Sequence, residues 1–236
     1  MYNNNNFIYS PINNVTGEYI NPLKTYDQRI CVDATQYISN ERVDFNNMRA
    51  DYLAFSSHKI GGMQGTGVLI SEEPLPYRII NGEQNHGIRG GTYNTLGILT
   101  TCIALEIAQN IDYLNKKRLN TMALRDMITE NFHIRKVDYI TPVPLSDSCP
   151  AITCYCFKGI SGEGLMNYLS DKEIYVSTGS ACTSGNLTHS YVLDEYDIPE
   201  DYINGAIRVS TSAETTGKEV CWLTNAVFKY VNQYKI

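Results

Sequence analysis

The chain has little that would tie it to a membrane, a nucleic acid or an oxidising compartment. No apolar run among its 236 residues reaches the roughly 20 needed to span a bilayer. Basic residues do not dominate. Nineteen Lys and Arg against 25 Asp and Glu leave a formal charge of -6, which argues against nucleic acid as the main partner. The opening Met1-Tyr2-Asn3-Asn4-Asn5-Asn6 lacks the basic and apolar regions of a signal peptide, so a cytoplasmic location with reduced thiols is expected. The seven cysteines contain no C-x-x-C pair. Cys154 and Cys156 flank Tyr155 in a strand-like alternation, which reads as two buried thiols on one face in preference to a metal pair. A single Trp among 18 Tyr, with an ordinary apolar fraction, fits a globular chain.

What is present alternates strand and helix signals. Arg29 to Ala34, Asp51 to Phe55 and Gly67 to Ile70 are short apolar runs bounded by polar residues, the pattern of buried strands. Asn94 to Asp112 carries Leu96, Leu99, Ile103, Ile107 and Ile111 at helical spacing, and a second helix is predicted from Lys116 to Asn131. After the Thr141-Pro142-Val143-Pro144 break come a strand (Ala151 to Phe157), a helix (Gly162 to Ser170), strands at Ile174 to Ser177 and Ala206 to Ser210, and a closing amphipathic helix. That helix carries Val220, Leu223, Val227, Tyr230 and Tyr234 on one face. Such alternation implies an α/β architecture. Residues 1–111 and 112–236 are the expected lobes.

Five segments carry chemistry. Ser56-Ser57-His58-Lys59 joins an apolar strand to the glycine-rich Gly61 to Gly67, so one lysine sits between a polar turn able to bind phosphate and a closely approachable backbone. This suits a desolvated amine that forms a Schiff base with pyridoxal phosphate (PLP); the alternative is a solvated lysine in a glycine-rich turn. Val32-Asp33-Ala34-Thr35-Gln36 puts an acid at the carboxyl end of a buried strand. A protonated pyridine nitrogen would partner it, and Gln36 would reach the ring hydroxyl; the alternative is a helix cap. Gly87 to Asn94, with Arg89 and Thr92 before a helix, reads as an anion-binding turn or an ordinary helix entry. Cys182, in Ser177 to Gly185, lies among small polar residues, as a mobile nucleophile would; nearby His189 reads better as part of a helix start than as its base. Arg208, inside the apolar run Ala206 to Ser210, wants a carboxylate or phosphate, or else an internal salt bridge.

Together, in this order and near this spacing, these segments resemble the NifS/IscS-type cysteine desulfurases of the class-V aminotransferases, which are PLP enzymes of fold type I. Ile12-Asn13-Asn14 followed by Gly17 resembles the asparagine motif of that family. The resemblance implies a partial large domain with a mainly parallel sheet, followed by a small α/β domain bearing the cysteine loop. It implies that Lys59 binds PLP covalently, Asp33 pairs with the pyridine nitrogen and Gln36 with the ring oxygen. By the same resemblance Ser57 and His58 bind the phosphate. Thr92 would reach the phosphate of a neighbouring subunit, which implies a homodimer. Asn14 and Arg208 would hold the carboxylate of L-cysteine. Cys182 would take the sulfur as a persulfide and pass it to an acceptor or iron–sulfur scaffold protein.

The departures are also specific. Family members carry a long portion before the asparagine motif, which supplies a ring-stacking histidine and a phosphate turn. None of the four histidines here precedes Asp33. A sheet without that portion is expected to expose an edge and apolar faces. Met63 stands where the family usually has proline, and Val15 where it usually has an acid. A non-catalytic interaction protein, a half needing a partner chain, and a different PLP reaction are the alternative readings.

Overall fold

A computed structural model describes residues 6–21, 29–75, 82–178 and 191–234. Two units emerge. The first comprises Met1–Ile12 and Ile20–Leu114, the second Asn13–Tyr19 and Asn115–Ile236.

The first unit is built on a four-stranded sheet in the order β1 (Asn6–Tyr9), β2 (Arg29–Asp33), β3 (Tyr52–Ser56), β4 (Gly67–Ser71). The first two pairings are parallel and the third is antiparallel. Period-two alternation sends Ile30 and Val32 of β2, and Leu53 and Phe55 of β3, into one cluster with Ala34, Ile38 and Ala50. Helix α1 (Thr95–Ala108) buries Gly97, Thr101, Ala104 and Ala108, a stripe of small residues. Just past its end, the Gln109 amide donates to the carbonyls of Ile38 (2.8 Å) and Glu41 (3.2 Å) and accepts from Val43 N–H (2.8 Å). One side chain thereby fixes the loop that follows β2.

The apolar stripe of α1 lies open. Leu96, Leu99, Ile103 and Ile107 are 50–57% exposed. Helical periodicity defines a face, and packing decides which face is covered. Here close approach to the sheet side selects the small residues.

The second unit holds an antiparallel sheet in the order β5 (Tyr139–Ile140), β6 (Ile152–Phe157), β8 (Ala206–Ser210), β7 (Ser177–Thr178). With it come most of α2 (Ile111–Ile134), α3 (Gly162–Ser170), the short α4 (Glu200–Ile203) and α5 (Gly217–Tyr234). The strand expected at Ile174 to Ser177 is confined to Ser177–Thr178, where the pairing to β8 begins. All six residues of β6 are buried, because the strand has a hydrophobic cluster on each side. Tyr155 and Phe157 enter the larger cluster, with Phe132 of α2, Leu165 and Leu169 of α3, and Val220, Leu223 and Val227 of α5. Phe132 meets both rings edge-on at 5.5 and 5.4 Å, contacts worth about 0.5–1.5 kcal/mol each beyond their burial. Cys154 and Cys156 face the other way, toward Val15, Leu193, Ile203 and Ala206. The Cys154 thiol is held well above its ordinary value, first by its hydrogen bond with Cys156 and then by burial, so it stays a protonated core residue at neutral pH. No helix among the described residues is long and apolar enough to cross a membrane.

Candidate functional site

In the first unit the candidate residues gather at the carboxyl ends of adjacent parallel strands. Asp33 closes β2 and pairs in register with Ala54 of β3. Two residues beyond Ala54, β3 ends at Ser56 and gives way to a single 3-10 turn, Ser57–Ile60, that carries Lys59. Carboxyl ends of parallel strands are where α/β sheets present ligand-binding groups.

Two expectations are corrected here. Asp33 is exposed. It shares strand parity with Arg29 and Cys31, opposite the inward-facing Ile30 and Val32. Its Oδ1 accepts the Thr35 N–H at 3.0 Å and heads the turn that follows, as a cap would, while Oδ2 has no protein partner among the described residues. Lys59 is also exposed and makes no hydrogen bond or ion pair among the described residues. The tight turn directs Ser57 inward and turns His58 and Lys59 out.

Ser57 is fully buried. Its Oγ lies 2.7 Å from Thr101 Oγ1, which in turn lies 2.6 Å from the Gly97 carbonyl. The hydroxyl therefore ties the turn to α1 and faces inward. Gly62 N–H closes the turn on the Ser57 carbonyl at 3.0 Å. A Cβ on Gly62 would fall 2.1 Å from Ser57 Oγ, so this position has no room for a side chain. Gln36 is half-buried; its carbonyl accepts from Ser39 (3.0 Å) and Asn40 (2.9 Å), which leaves its side-chain amide without a protein partner among the described residues. Thr92 is exposed just before α1. The helix entry there is capped by Asn94, whose Oδ1 accepts Gly97 N–H at 3.0 Å. Part of the proposed anion turn is thus satisfied by the chain itself.

In the second unit Asn14 and Arg208 are neighbours. Arg208 Nη1 donates to the Asn14 carbonyl at 2.6 Å and Nη2 to Ser177 Oγ at 3.0 Å. Both acceptors are neutral. Among the described residues Arg208 has no carboxylate partner, and its Nε is buried without any partner. The internal salt bridge left open by the sequence is therefore not what satisfies this arginine.

The Asn14 turn is held by several bonds that sequence reasoning missed. Asn13 Oδ1 accepts the N–H groups of Val15 (2.8 Å) and Thr16 (3.2 Å). Gly17, at φ +80°, sits so close to Ile152 that an added Cβ would lie 2.1 Å from that carbonyl oxygen, and its own carbonyl accepts Cys149 N–H at 2.8 Å. Tyr196 donates to the Glu18 carboxylate and lies 3.4 Å from Thr16 Oγ1. Burial, followed by that bond to Glu18, pushes the Tyr196 phenol up to about 12. The Asn-Asn-x-x-Gly pattern signals the turn, but nothing local to Tyr196 signals a partner 178 residues away. Cys182 and His189 lie outside the described residues.

Known proteins resemble this chain over most of its length. The family model described as aminotransferase class-V matches residues 3–223. Cysteine desulfurase IscS from Clostridium botulinum is 32% identical over 206 residues, which cover 85% of this chain and 51% of that protein. A cysteine desulfurase from Bradyrhizobium diazoefficiens is 32% identical over 190 residues, covering 80% and 48%. A solved NifS-like protein superposes with a TM-score of 0.83 at 28% identity, over 97% of this chain and 61% of its own. The chain thus spans about half the length of the curated relatives it matches. The architecture is the PLP fold type I of NifS-like proteins, and the families concerned are PLP-dependent transferases. Sequence match and shared fold lead to one statement: the chain belongs to the class-V aminotransferase family, alongside its cysteine desulfurases.

Proposed function

We propose that this chain contributes to a PLP-dependent cysteine desulfurase, which converts L-cysteine to L-alanine and leaves the sulfur on Cys182. In this reading residues 1–111 belong to the PLP-binding part and residues 112–236 to the small domain with the cysteine loop. The observation that carries it is a carboxylate oxygen and an ammonium, Asp33 Oδ2 and Lys59 Nζ, without partners among the described residues, at the carboxyl ends of neighbouring parallel strands. That donor set fits PLP: an acid for the pyridine nitrogen and an amine for the aldehyde. Gln36 has an amide uncommitted among the described residues for the ring oxygen, and His58 is exposed beside Lys59 for the phosphate. Ser57, with its hydroxyl turned to Thr101, supports the turn itself. Thr92 serves a neighbouring copy, in a homodimer.

When bound, PLP supplies an electron sink for charge developing at the substrate Cα. The chain's residues do the rest. Arg208, whose charge meets only neutral oxygens among the described residues, holds the substrate carboxylate beside Asn14. Lys59 Nζ moves the proton at Cα. The Cys182 thiolate attacks the substrate sulfur: an S–S bond forms, the C–S bond breaks with its electron pair going to carbon, and protonation there gives alanine. The persulfide sulfur then passes to an acceptor or iron–sulfur scaffold protein.

The test is optical. Added PLP should give a near-visible absorption band that is lost in Lys59→Ala and kept in Cys182→Ala. Release of alanine from cysteine should be lost in both. Absence of a Lys59-dependent band would refute the assignment. The uncovered face of α1 favours a second reading, in which a partner chain is needed for turnover. A band without alanine release from the isolated chain is its expected signature.

A further inference from the structure

On the second unit, α3 and α5 flank a groove of about 280 Å³. Helical spacing builds its walls. Trp222, Ala226 and Lys229 follow one another at i, i+4 and i+7 on α5, while Tyr168 stands near the end of α3 and Lys172 two residues past it. Asn225 adds an amide. Tyr168 is held by packing: its ring lies 5.2 Å from that of Tyr230, which lies 4.7 Å from that of Tyr234. At Gly164 the two helices approach so closely that a Cβ would come within 2.3 Å of the Tyr230 hydroxyl.

The chemistry of the rim is consistent. Lys172 Nζ sits 4.4 Å from the Tyr168 ring centroid, and Lys218 Nζ sits 4.9 Å from that of Trp222. Lys229 supplies a third cation. None of the three is paired with a carboxylate among the described residues. No acidic residue lines the groove, and nearby Glu219 is occupied by the Thr216 N–H (2.8 Å) and hydroxyl (2.7 Å). The lining itself thus carries two lysines and no carboxylate on a chain of formal charge -6, with Asp171 and Glu173 flanking Lys172 outside it. Trp222, the chain's only tryptophan, is 54% exposed. Exposed cation–π contacts are worth only about 0.5–1 kcal/mol, so the lysines are readily drawn onto carboxylates.

We propose that this groove docks an acidic polypeptide segment, with one aromatic or aliphatic anchor laid on Trp222 and flanking carboxylates paired with Lys172, Lys218 and Lys229. Charge complementarity selects the sign of the partner. Size selects its kind: the volume is just below the roughly 300 Å³ at which small-molecule pockets begin, enough for one anchoring side chain. An aromatic framed by cations is also the composition of interface hot spots.

Trp222 is its own reporter. The full chain is titrated with a short tryptophan-free peptide of glutamates around one phenylalanine, a copy with lysines for the glutamates, and phenylalanine alone. The glutamate peptide should shift Trp222 emission, with affinity that falls as salt rises. Lys172→Glu combined with Lys229→Glu should weaken it by roughly tenfold or more. Both lysines are exposed, so an unchanged circular dichroism melt is expected for that variant. Anisotropy of a labelled glutamate peptide should show the same loss in Trp222→Ala. Equal binding of the lysine peptide, full affinity in the charge-reversed variant, or no emission change at millimolar peptide would overturn the proposal. A shift by phenylalanine alone at equal affinity would also overturn it, in favour of a small-molecule site.

Discussion

The hydroxyl pair beneath the Lys59 turn makes a sharp prediction. Ser57 is fully buried and its only side-chain partner among the described residues is Thr101, 2.7 Å away. Thr101 has a second option in the Gly97 carbonyl at 2.6 Å. Thr101→Val keeps the shape and removes the hydroxyl. Ser57 Oγ is then stranded, and the expected cost is the desolvation penalty of an unpaired buried polar atom, about 1–3 kcal/mol. Ser57→Ala strands nothing, because Thr101 still has Gly97; its cost should be about 0.5–1.5 kcal/mol. In the double variant both partners are gone, so Thr101→Val should be nearly neutral in the Ser57→Ala background, a coupling of at least about 0.5 kcal/mol. Urea unfolding followed by far-UV circular dichroism gives the four free energies. Amide exchange over Ser57–Ile60 locates the effect in the turn. If the two substitutions add to within about 0.3 kcal/mol, the pair does not act as a unit and the argument fails.

Other outcomes can be checked with less work. Tyr196 has its folded value raised to about 12, whereas an unfolded tyrosine ionises near 10. Its contribution to stability is therefore complete below about pH 10 and lost as pH rises toward about 12, because the unfolded state gives up its proton first. The alkaline fall in unfolding midpoint should shrink in Tyr196→Phe, and an identical fall would contradict the assignment. Arg208→Lys replaces a two-pronged donor with a point charge that cannot serve Asn14 and Ser177 together. A loss of about 1.5–3 kcal/mol is expected in urea unfolding monitored by Trp222 emission, and no loss would show those contacts to be idle. Leu99→Glu with Ile103→Glu, on the open face of α1, should leave stability within about 0.5 kcal/mol and reduce light scattering. A large destabilisation would mean the face is covered.

Some of the architecture is visible in the residues alone. The helix Gly162–Ser170 and strand Ala206–Ser210 fall where the pattern puts them, and β2, β3 and β6 within a residue. Their ends carry local signals, such as Ser161, whose hydroxyl caps Gly164 N–H at 3.1 Å. The single helix expected from Asn94 to Asp112 is interrupted instead at Gln109 and Asn110. Asn110 Oδ1 accepts the N–H groups of Asp112 and Tyr113, both at 3.0 Å, and starts α2. An asparagine amid apolar periodicity is a cap signal outweighed here by the longer repeat. The strands β1 and β5 are defined by their partners more than by composition, which is why they escape notice, and the run Ile174 to Ser177 pairs only at its end for the same reason. For the site, parity along β2 was enough to turn Asp33 outward, whereas the inward turn of Ser57 depends on Thr101, 44 residues later. The neutral partners of Arg208 are fixed only by tertiary pairing, one of them 194 residues away.

The excursion of Asn13–Tyr19 into the second unit has a practical corollary for anyone dissecting the chain. The backbone passes between units three times, after Ile12, after Tyr19 and after Leu114, so one cut cannot separate them cleanly. A piece starting at Asn115 would leave behind the strip that hydrogen-bonds Cys149, Tyr196 and Arg208, baring those groups. Restoring it would call for grafting or co-expressing that heptad as a separate peptide, and the affinity of such a peptide would measure directly how firmly the strip is sewn in.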